Sequence, residues 1–468
     1  MNFKNFYIKE SEAIKDFSEY QHKNPYLKKA VEVLKILEEH GKAYIVGGAV
    51  RDIVLGKDFD DVDIATNVPM DKIEELFPTH DIGANKDFGV VVIEYKGENI
   101  EVAQFRSDGT YTDGRRPDKI EIVPDFKDDA SRRDFTINSL GLDSDGNIID
   151  YFDGMKDIKN KVLRTVGNPS DRFGEDYLRM LRAVRFSSRL GFKLDPETKK
   201  AIRQGSQNIN DIAGERIQKE LVKMAKQEGS KFADAVVELD ETGLLDEILP
   251  EVVKLKEFKH NLKFHPEGGP YTHTLEALRA NKVVDPIVNL SILMHDIGKQ
   301  KVFTLDEKGE HYFGHAEEGK SLVEEIAERL KLDTKTKEAI LYAVMNHMKI
   351  HDFLKLSNSS VIKLMDSPYW EVLKATAEAD SRARGKIFDE KEWSEITARI
   401  AKLAEGQADR EQIQAIKKVV NGQWVMKLRD LKPSREVGRI ITKTISWIQD
   451  NDIDITDTNK IKEYILKA

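Results

Sequence analysis

An α/β domain near the N-terminus followed by a long helical remainder is what this 468-residue sequence predicts. Three observations carry that expectation. Apolar runs of strand length lie between Ala43 and Tyr151 and stop after about Thr165. From there the apolar spacing is helical, punctuated by Gly191, Gly205 and Gly214. Eight of the eleven histidines fall between His260 and His351, so that segment has its own chemistry.

Taken in order, residues 1–30 read as a polar helical lead-in. Val31 to Glu39 has helical spacing, and His40-Gly41 ends it. Ala43 to Val46 is a short strand entering Gly47-Gly48, and Val62 to Ala65 is another. Met70 to Leu76 predicts a helix stopped by Pro78. Val90–Tyr95 and Ile100–Phe105 alternate around Lys96-Gly97-Glu98-Asn99, a hairpin pattern. Ile120–Val123 and Ile148–Tyr151 complete a small mixed sheet. The expected organisation is an α/β head over 31–165 and an all-α neck and body over 166–255. A histidine-rich all-α domain over 256–390 and a helical tail over 391–468 follow.

Composition narrows the function classes. Apolar residues make up 40% and charged residues 34%, as in a soluble globular protein. Cysteine is absent, which excludes disulfides and thiolate metal sites. No apolar run reaches the roughly 18 residues of a membrane span, and the N-terminus does not resemble a signal peptide. The cytoplasm is the expected compartment. The net charge of −9 argues mildly against a nucleic-acid partner, but it is an average. Between Arg164 and Arg203 ten Lys/Arg face five Asp/Glu, a basic stripe suited to phosphate.

Asp61 and Asp63 are one residue apart in what reads as a strand, so they share a face while Val62 and Ile64 turn inward. Two convergent carboxylates suit a pair of Mg²⁺ ions clamping a triphosphate. Upstream, Gly47-Gly48-Ala-Val-Arg51-Asp52 marks a strand-to-helix junction at which backbone approaches phosphate closely. Arg51 would neutralise triphosphate oxygens. In Ser131-Arg132-Arg133-Asp134, the aspartate is a third carboxylate or a ribose-hydroxyl acceptor, and the arginines grip phosphate or sugar. Gly174 to Phe186 reads as one helix that carries Asp176, Arg179 and Arg182 on a polar face. Such a carboxylate–guanidinium pair can match a base's Watson–Crick edge or form an ordinary salt bridge.

In sequence order these segments resemble the class II tRNA nucleotidyltransferase and bacterial poly(A) polymerase family. The matching pieces are Gly-Gly-Ala-Val-Arg-Asp, Asp61-Val-Asp63, Gln104 to Pro117, Arg132 to Asn138, Glu175-Asp-Tyr-Leu-Arg179 and Glu215-Arg-Ile-Gln-Lys-Glu220, within about residues 40–225. The resemblance implies addition of CCA to tRNA 3′ ends from CTP and ATP without a template. It makes Asp61 and Asp63 the Mg²⁺ ligands, with Gly48 and Arg51 on the triphosphate and Arg132 or Arg133 on sugar and phosphates. Asp176 and Arg179 would select C and then A, with Arg182 and Arg185 on phosphate. Asp108 to Pro117 would be the loop that switches the site between bases. A poly(A) polymerase or a CC-adding enzyme of the same family is the nearest alternative. A hydrolase whose head merely binds RNA is the alternative from another class.

In the histidine-rich part, His295-Asp296-Ile-Gly-Lys299 follows the apolar helix Ile287–Met294. His273 precedes it, and His315, His347 and Asp380 follow. Imidazole and carboxylate without sulfur suit Mn, Fe, Ni, Co or Mg. The order resembles the HD phosphohydrolase superfamily over about 255–385. That resemblance implies one metal held by His273, His295, Asp296 and Asp380 and a second by His315 and His347, with His351 a substitute for His347. The implied chemistry is water attack on a phosphoester, such as a 2′,3′-cyclic phosphate on damaged RNA or a nucleotide.

Overall fold

In the computed structural model the described residues are 14, 17–59, 61–80, 89–109, 120–258, 269–306, 309–385, 388–451 and 453–468. They form two compact units: Met1–His347 with Glu371–Lys386, and Met348–Trp370 with Ile387–Ala468.

The first unit opens with helices Phe17–Lys23 and Pro25–Glu38. The second starts six residues before the apolar periodicity at Val31 suggests. Asn24 Oδ1 caps it by accepting from Leu27 N at 2.9 Å, and Pro25 presets the first turn. Nine strands follow: β1 (Ala43–Val46), β2 (Asp63–Thr66), β3 (Thr79–His80), β4 (Val90–Tyr95), β5 (Glu98–Gln104), β6 (Arg106–Asp108), β7 (Ile120–Ile122), β8 (Gly141–Leu142) and β9 (Ile148–Ile149). Seven build one mixed sheet in the order β3-β4-β5-β2-β1-β8-β9. The Lys96-Gly97 turn joins β4 and β5, and both residues have positive φ (51° and 80°). The one parallel pairing in this sheet, β2 with β5, sets Asp63 opposite Glu101.

Two strand expectations are corrected. Ile120–Ile122 leaves the main sheet and pairs with β6 as a separate ribbon. Strand also continues past Thr165: Lys193–Leu194 pairs in parallel with Val162–Leu163, and Thr304–Asp306 pairs with Gly309–His311. Strands this short leave no alternation to read in a sequence.

The body helices, from Leu178–Leu190 to Gly229–Glu241, and the histidine-bearing helices share one continuous apolar core with the head, from Phe17 to Ala383. The second unit is helical and has its own core of Ile416, Val425, Ile440, Ile448, Ile461 and Ile465. No helix among the described residues is long and apolar enough to cross a membrane.

Gly154 heads the helix Gly154–Asn160, which packs on the Thr136–Asn138 turn. A Cβ there would sit 2.3 Å from Thr136 O. Gly154→Ala therefore forces that turn aside, and we expect a loss of about 1–3 kcal/mol, read as a lower Tm in thermal unfolding.

Candidate active site and candidate metal centre

One cavity of about 620 Å³ in the first unit collects every head and neck residue singled out above: Gly48, Arg51, Asp61, Asp63, Arg132, Arg133, Asp134, Asp176, Arg179, Arg182 and Arg185. It is lined by eight arginines and six aspartates, so its walls favour an anion.

Asp63 begins β2, whereas Asp61 stands just ahead of it, outside the ladder. The expected alternation nevertheless holds, with Val62 and Ile64 buried and both aspartates exposed to the cleft. Crowding by surrounding protein, then the charges of Glu101 and Asp61, push the Asp63 carboxyl up to about 6 against the opposing pull of Arg133. Carboxylates that resist sharing negative charge are a fitting donor set for a divalent cation. Glu101 is a third carboxylate beside this pair that sequence reasoning missed. Its only signal was an acidic residue between the buried Ile100 and Val102 of a strand.

Gly47 adopts φ 76°, and a Cβ there would meet Arg133 Nη1 at 3.5 Å and Asp63 Oδ2 at 3.9 Å. The glycine thus keeps the space between carboxylate and guanidinium open. Arg51 is buried behind Gly48. It is held bidentately by Asp52 (Nε–Oδ1 2.9 Å, Nη2–Oδ2 2.7 Å) and donates from Nη1 to Asn138 Oδ1 at 2.6 Å.

The arginine wall is braced from behind. Asp129, itself buried, receives Arg132 (Nε 3.0 Å, Nη2 2.7 Å) on Oδ1 and Arg133 (Nε 3.3 Å, Nη2 2.9 Å) on Oδ2. Burial would raise its pKa, but the two guanidiniums outweigh it and hold the carboxyl below the usual range. Asp134 accepts Arg182 Nε and Nη2 at 2.8 and 2.5 Å, Asn138 Nδ2 at 3.0 Å and Phe135 N at 2.9 Å. Its oxygens are committed to protein donors, so its geometry is that of a positioning residue for Arg182. The buried Arg185 pairs with Glu220 at 2.6 Å and lies 4.2 Å from the Phe186 ring centroid.

The single helix expected from Gly174 to Phe186 is two. Pro169–Glu175 ends at Asp176, which is extended (φ −148°, ψ 105°), and Leu178–Leu190 then begins. Asp176 leaves the helix because its carboxylate accepts from Leu178 N at 3.1 Å, a local bond that competes with the helical backbone. It also receives Arg216 Nη2 at 3.2 Å. Arg179 is fixed by Glu175, Arg172 O and Arg132 O. Arg189 and Arg216 line the cavity too, although the sequence reading counted Arg189 only within the basic stripe and gave Arg216 no role. The switching loop expected over Asp108 to Pro117 lies, from Thr110 on, outside the described residues.

Two family models match parts of the chain. Residues 43–164 match the family model of the poly A polymerase head domain, and residues 191–255 match that of the probable RNA and SrmB-binding site of polymerase A. The CCA-adding enzymes of Bacillus licheniformis and Bacillus subtilis are 44% and 45% identical over 222 residues, which is 47% of this chain and 55% of each relative. The matched part of the chain is thus similar to the poly A polymerase head domain and to CCA-adding enzymes. The chain spans about half the length of the curated relatives it matches. The structure of the Bacillus stearothermophilus CCA-adding enzyme in complex with CTP is similar over 95% of this chain and 98% of its own, with 25% identity and a TM-score of 0.61. A tRNA nucleotidyltransferase complexed with a primer tRNA and an incoming ATP analog shares the fold, with 23% identity, TM-score 0.53, 80% of this chain and 99% of its own covered.

The predicted histidine positions also converge, as two buried triads: His273, His295 and Asp380, and Asp296, His315 and His347. His273 Nε2 is 2.8 Å from Asp380 Oδ1, and His295 Nε2 is 3.2 Å from Asp296 Oδ2. Asp296 Oδ1 is 3.7 Å from the Nε2 atoms of both His315 and His347, so this carboxylate touches both groups. Three imidazoles lean on backbone carbonyls through Nδ1: His295 on Ile292 O (2.7 Å), His315 on Tyr312 O (2.9 Å) and His347 on Val344 O (2.8 Å). A donating Nδ1–H leaves Nε2 of a neutral ring as a lone pair. The Nε2 atoms of His315 and His347 nevertheless face each other at 3.3 Å, and buried His295 Nε2 has no well-formed hydrogen bond. A cation between such lone pairs resolves both features, so the residues fit a metal. The side chain of His351 lies outside the described residues.

In metal-free protein the raised Asp63 pKa means that the native state binds a proton more tightly than the unfolded chain. Stability therefore falls as pH rises from about 4 to about 6. Asp63→Asn should flatten that slope in denaturant titrations, and unchanged pH dependence would contradict the assignment.

Proposed function

We propose that this protein adds C, C and A to the 3′ end of tRNA from CTP and ATP without a nucleic-acid template. The carrying observation is the single cavity in which Asp61 and Asp63 oppose a wall of arginines. It accommodates a triphosphate between carboxylates and guanidiniums, and Asp176 and Arg179 are at hand for the base. In this reading Arg132, Arg133 and Arg182 bind phosphates and sugar, held in place by Asp129 and Asp134. Arg51, backed by Asp52, sets the Gly47-Gly48 turn beneath the phosphates. Asp61 and Asp63, with Glu101 alongside, would hold Mg²⁺, which supplies electrostatic stabilisation of the reacting phosphate and a more acidic primer hydroxyl. The 3′-oxygen of the primer bonds to the α-phosphorus, the bond to the β-phosphate oxygen breaks, and pyrophosphate leaves. The basic stripe from Arg164 to Arg203 receives the acceptor stem by shape and charge.

The histidine centre supports a second reading, metal-dependent phosphoester hydrolysis, on the facing Nε2 lone pairs of His315 and His347. His273, His295, Asp296 and Asp380 would hold one divalent ion, and His315 and His347, with Asp296 between, another. A divalent transition metal fits this nitrogen-rich set and supplies an activated water. The water oxygen bonds to phosphorus, one ester P–O bond breaks, and the proton ends on the departing alcohol.

The test is incorporation of labelled CTP and ATP onto a tRNA transcript lacking CCA, with Mg²⁺. Two C and then one A, with no further addition, is the expected product. Two C alone would identify a CC-adding enzyme, and a long A tail independent of CTP a poly(A) polymerase. Asp61→Ala should lower incorporation by at least about 10³-fold while leaving metal-dependent phosphoester hydrolysis intact. Parallel loss of both activities would refute two separate sites.

A further inference from the structure

We infer that the second unit holds a nucleotide site of its own, which takes a free nucleoside triphosphate. The site is the cavity of about 1100 Å³ lined chiefly by the helices Arg435–Asp450 and Thr458–Lys467, both in that unit.

Four cations line this cavity: Arg435, Arg439 and Lys443 on the first helix and Lys467 on the second. The first three follow at intervals of four residues, so like charges are stacked along one face, a spacing at which they repel and weaken the helix. Among the described residues none of the four has a carboxylate at ion-pair distance, and no acidic side chain lines the cavity. The transfer cleft is built differently: Arg132, Arg133, Arg182 and Arg185 are each held by an aspartate or a glutamate. The cations of the second unit are left for an anion from outside, and a row of them suits a polyanion.

Trp447 and Tyr464 line the same cavity with their rings parallel, centroids 4.2 Å apart and an interplanar angle of 7°. The pair is held from below. Both residues stand beside core positions: Ile448 follows Trp447, and Ile465 follows Tyr464. Arg429 Nη1 donates to Ile465 O at 3.2 Å and to Leu466 O at 2.8 Å, which pins the turn after Tyr464. Trp447 continues the four-residue interval of the cations, so Lys443, Arg439 and Arg435 recede from the rings in steps of about 6 Å along the axis. The phosphates of a nucleotide recede from its base in the same order. A π face beside a row of cations therefore matches a base joined to phosphates. Single-stranded RNA stacks successive bases on successive rings, and this cavity offers one ring pair, which favours a single nucleotide.

The test is equilibrium dialysis of the full chain with labelled ATP, in the absence of tRNA. The double variant Arg439→Ala/Lys443→Ala changes two exposed positions outside the transfer cleft. It is expected to weaken the binding of one ATP per chain at least about tenfold, whatever the cleft itself binds. Trp447→Phe keeps a ring and should retain that ATP. In competition on wild-type protein, base-less tripolyphosphate should displace it at least about tenfold less well than unlabelled ATP. Unchanged ATP binding in the double variant overturns the site. Equal displacement by tripolyphosphate and ATP overturns the ring platform and leaves a bare phosphate patch. Displacement by an RNA hexamer at lower concentration than by ATP, or a raised KM for tRNA in the double variant, overturns it in favour of an RNA surface. Failure of wild-type protein to incorporate CTP or ATP would remove the transfer reading and leave the dialysis result standing.

Discussion

Everything in the transfer cleft depends on one buried chain of polar contacts between the sheet and the helices that follow it. Asp52 holds Arg51, Arg51 donates to Asn138, Asn138 donates to Asp134, and Asp134 receives Arg182. The first members stand on the short helix after β1, the middle ones on the turn after Ser131, and the last on the Leu178–Leu190 helix. Removing one partner from a buried ion pair such as Arg51–Asp52 leaves an uncompensated charge, at a cost of about 3–5 kcal/mol. The chain's role is therefore geometric. It makes the distance from Gly48 to Arg182, across which the proposed nucleotide would fit, a property of the fold rather than of mobile side chains.

The two walls of the cleft are built by opposite devices. The carboxylate side is concentrated by strand pairing: the parallel register of β2 and β5 brings Glu101 next to Asp63. Backbone hydrogen bonds hold these like charges together, and the Asp63 pKa is raised first by burial and then by the charges of Glu101 and Asp61. The guanidinium side is dispersed by counter-ions. Asp129, Asp134 and Glu220 each hold arginines from behind. Each guanidinium has five N–H donors in a fixed fork, so bracing on one edge leaves others for phosphate.

Much of this was legible in the sequence, because the cleft is assembled from short motifs whose spacing encodes local geometry. Asp61-Val-Asp63 gave its facing by alternation, and Gly47-Gly48 its turn. What stayed hidden depended on contacts distant in sequence. Glu101 was invisible because its role arises from pairing with a strand about forty residues away. The break at Asp176 was missed because helical periodicity runs through it, while one side-chain bond to Leu178 N decides otherwise. The histidine centre was legible as a set of residue types, but the close approach of its helices was not. Gly298 makes that approach feasible: a Cβ there would lie 1.9 Å from His315 O and 2.5 Å from Gly319 N.

The two centres also differ in a way that lets one chain keep them apart. The transfer cleft is open, and its metal donors would be carboxylate oxygens alone, a hard set that leaves coordination positions for water and phosphate. The histidine centre is buried, and four of its six donor residues are imidazoles, which favour later transition metals. In the proposed reaction an open, oxygen-only site would release pyrophosphate and accept a new nucleotide repeatedly, which weak and exchangeable cation binding would serve. A buried, nitrogen-rich site would hold its ion more firmly. On these two readings, the donor chemistry itself would let the sites draw on different cations.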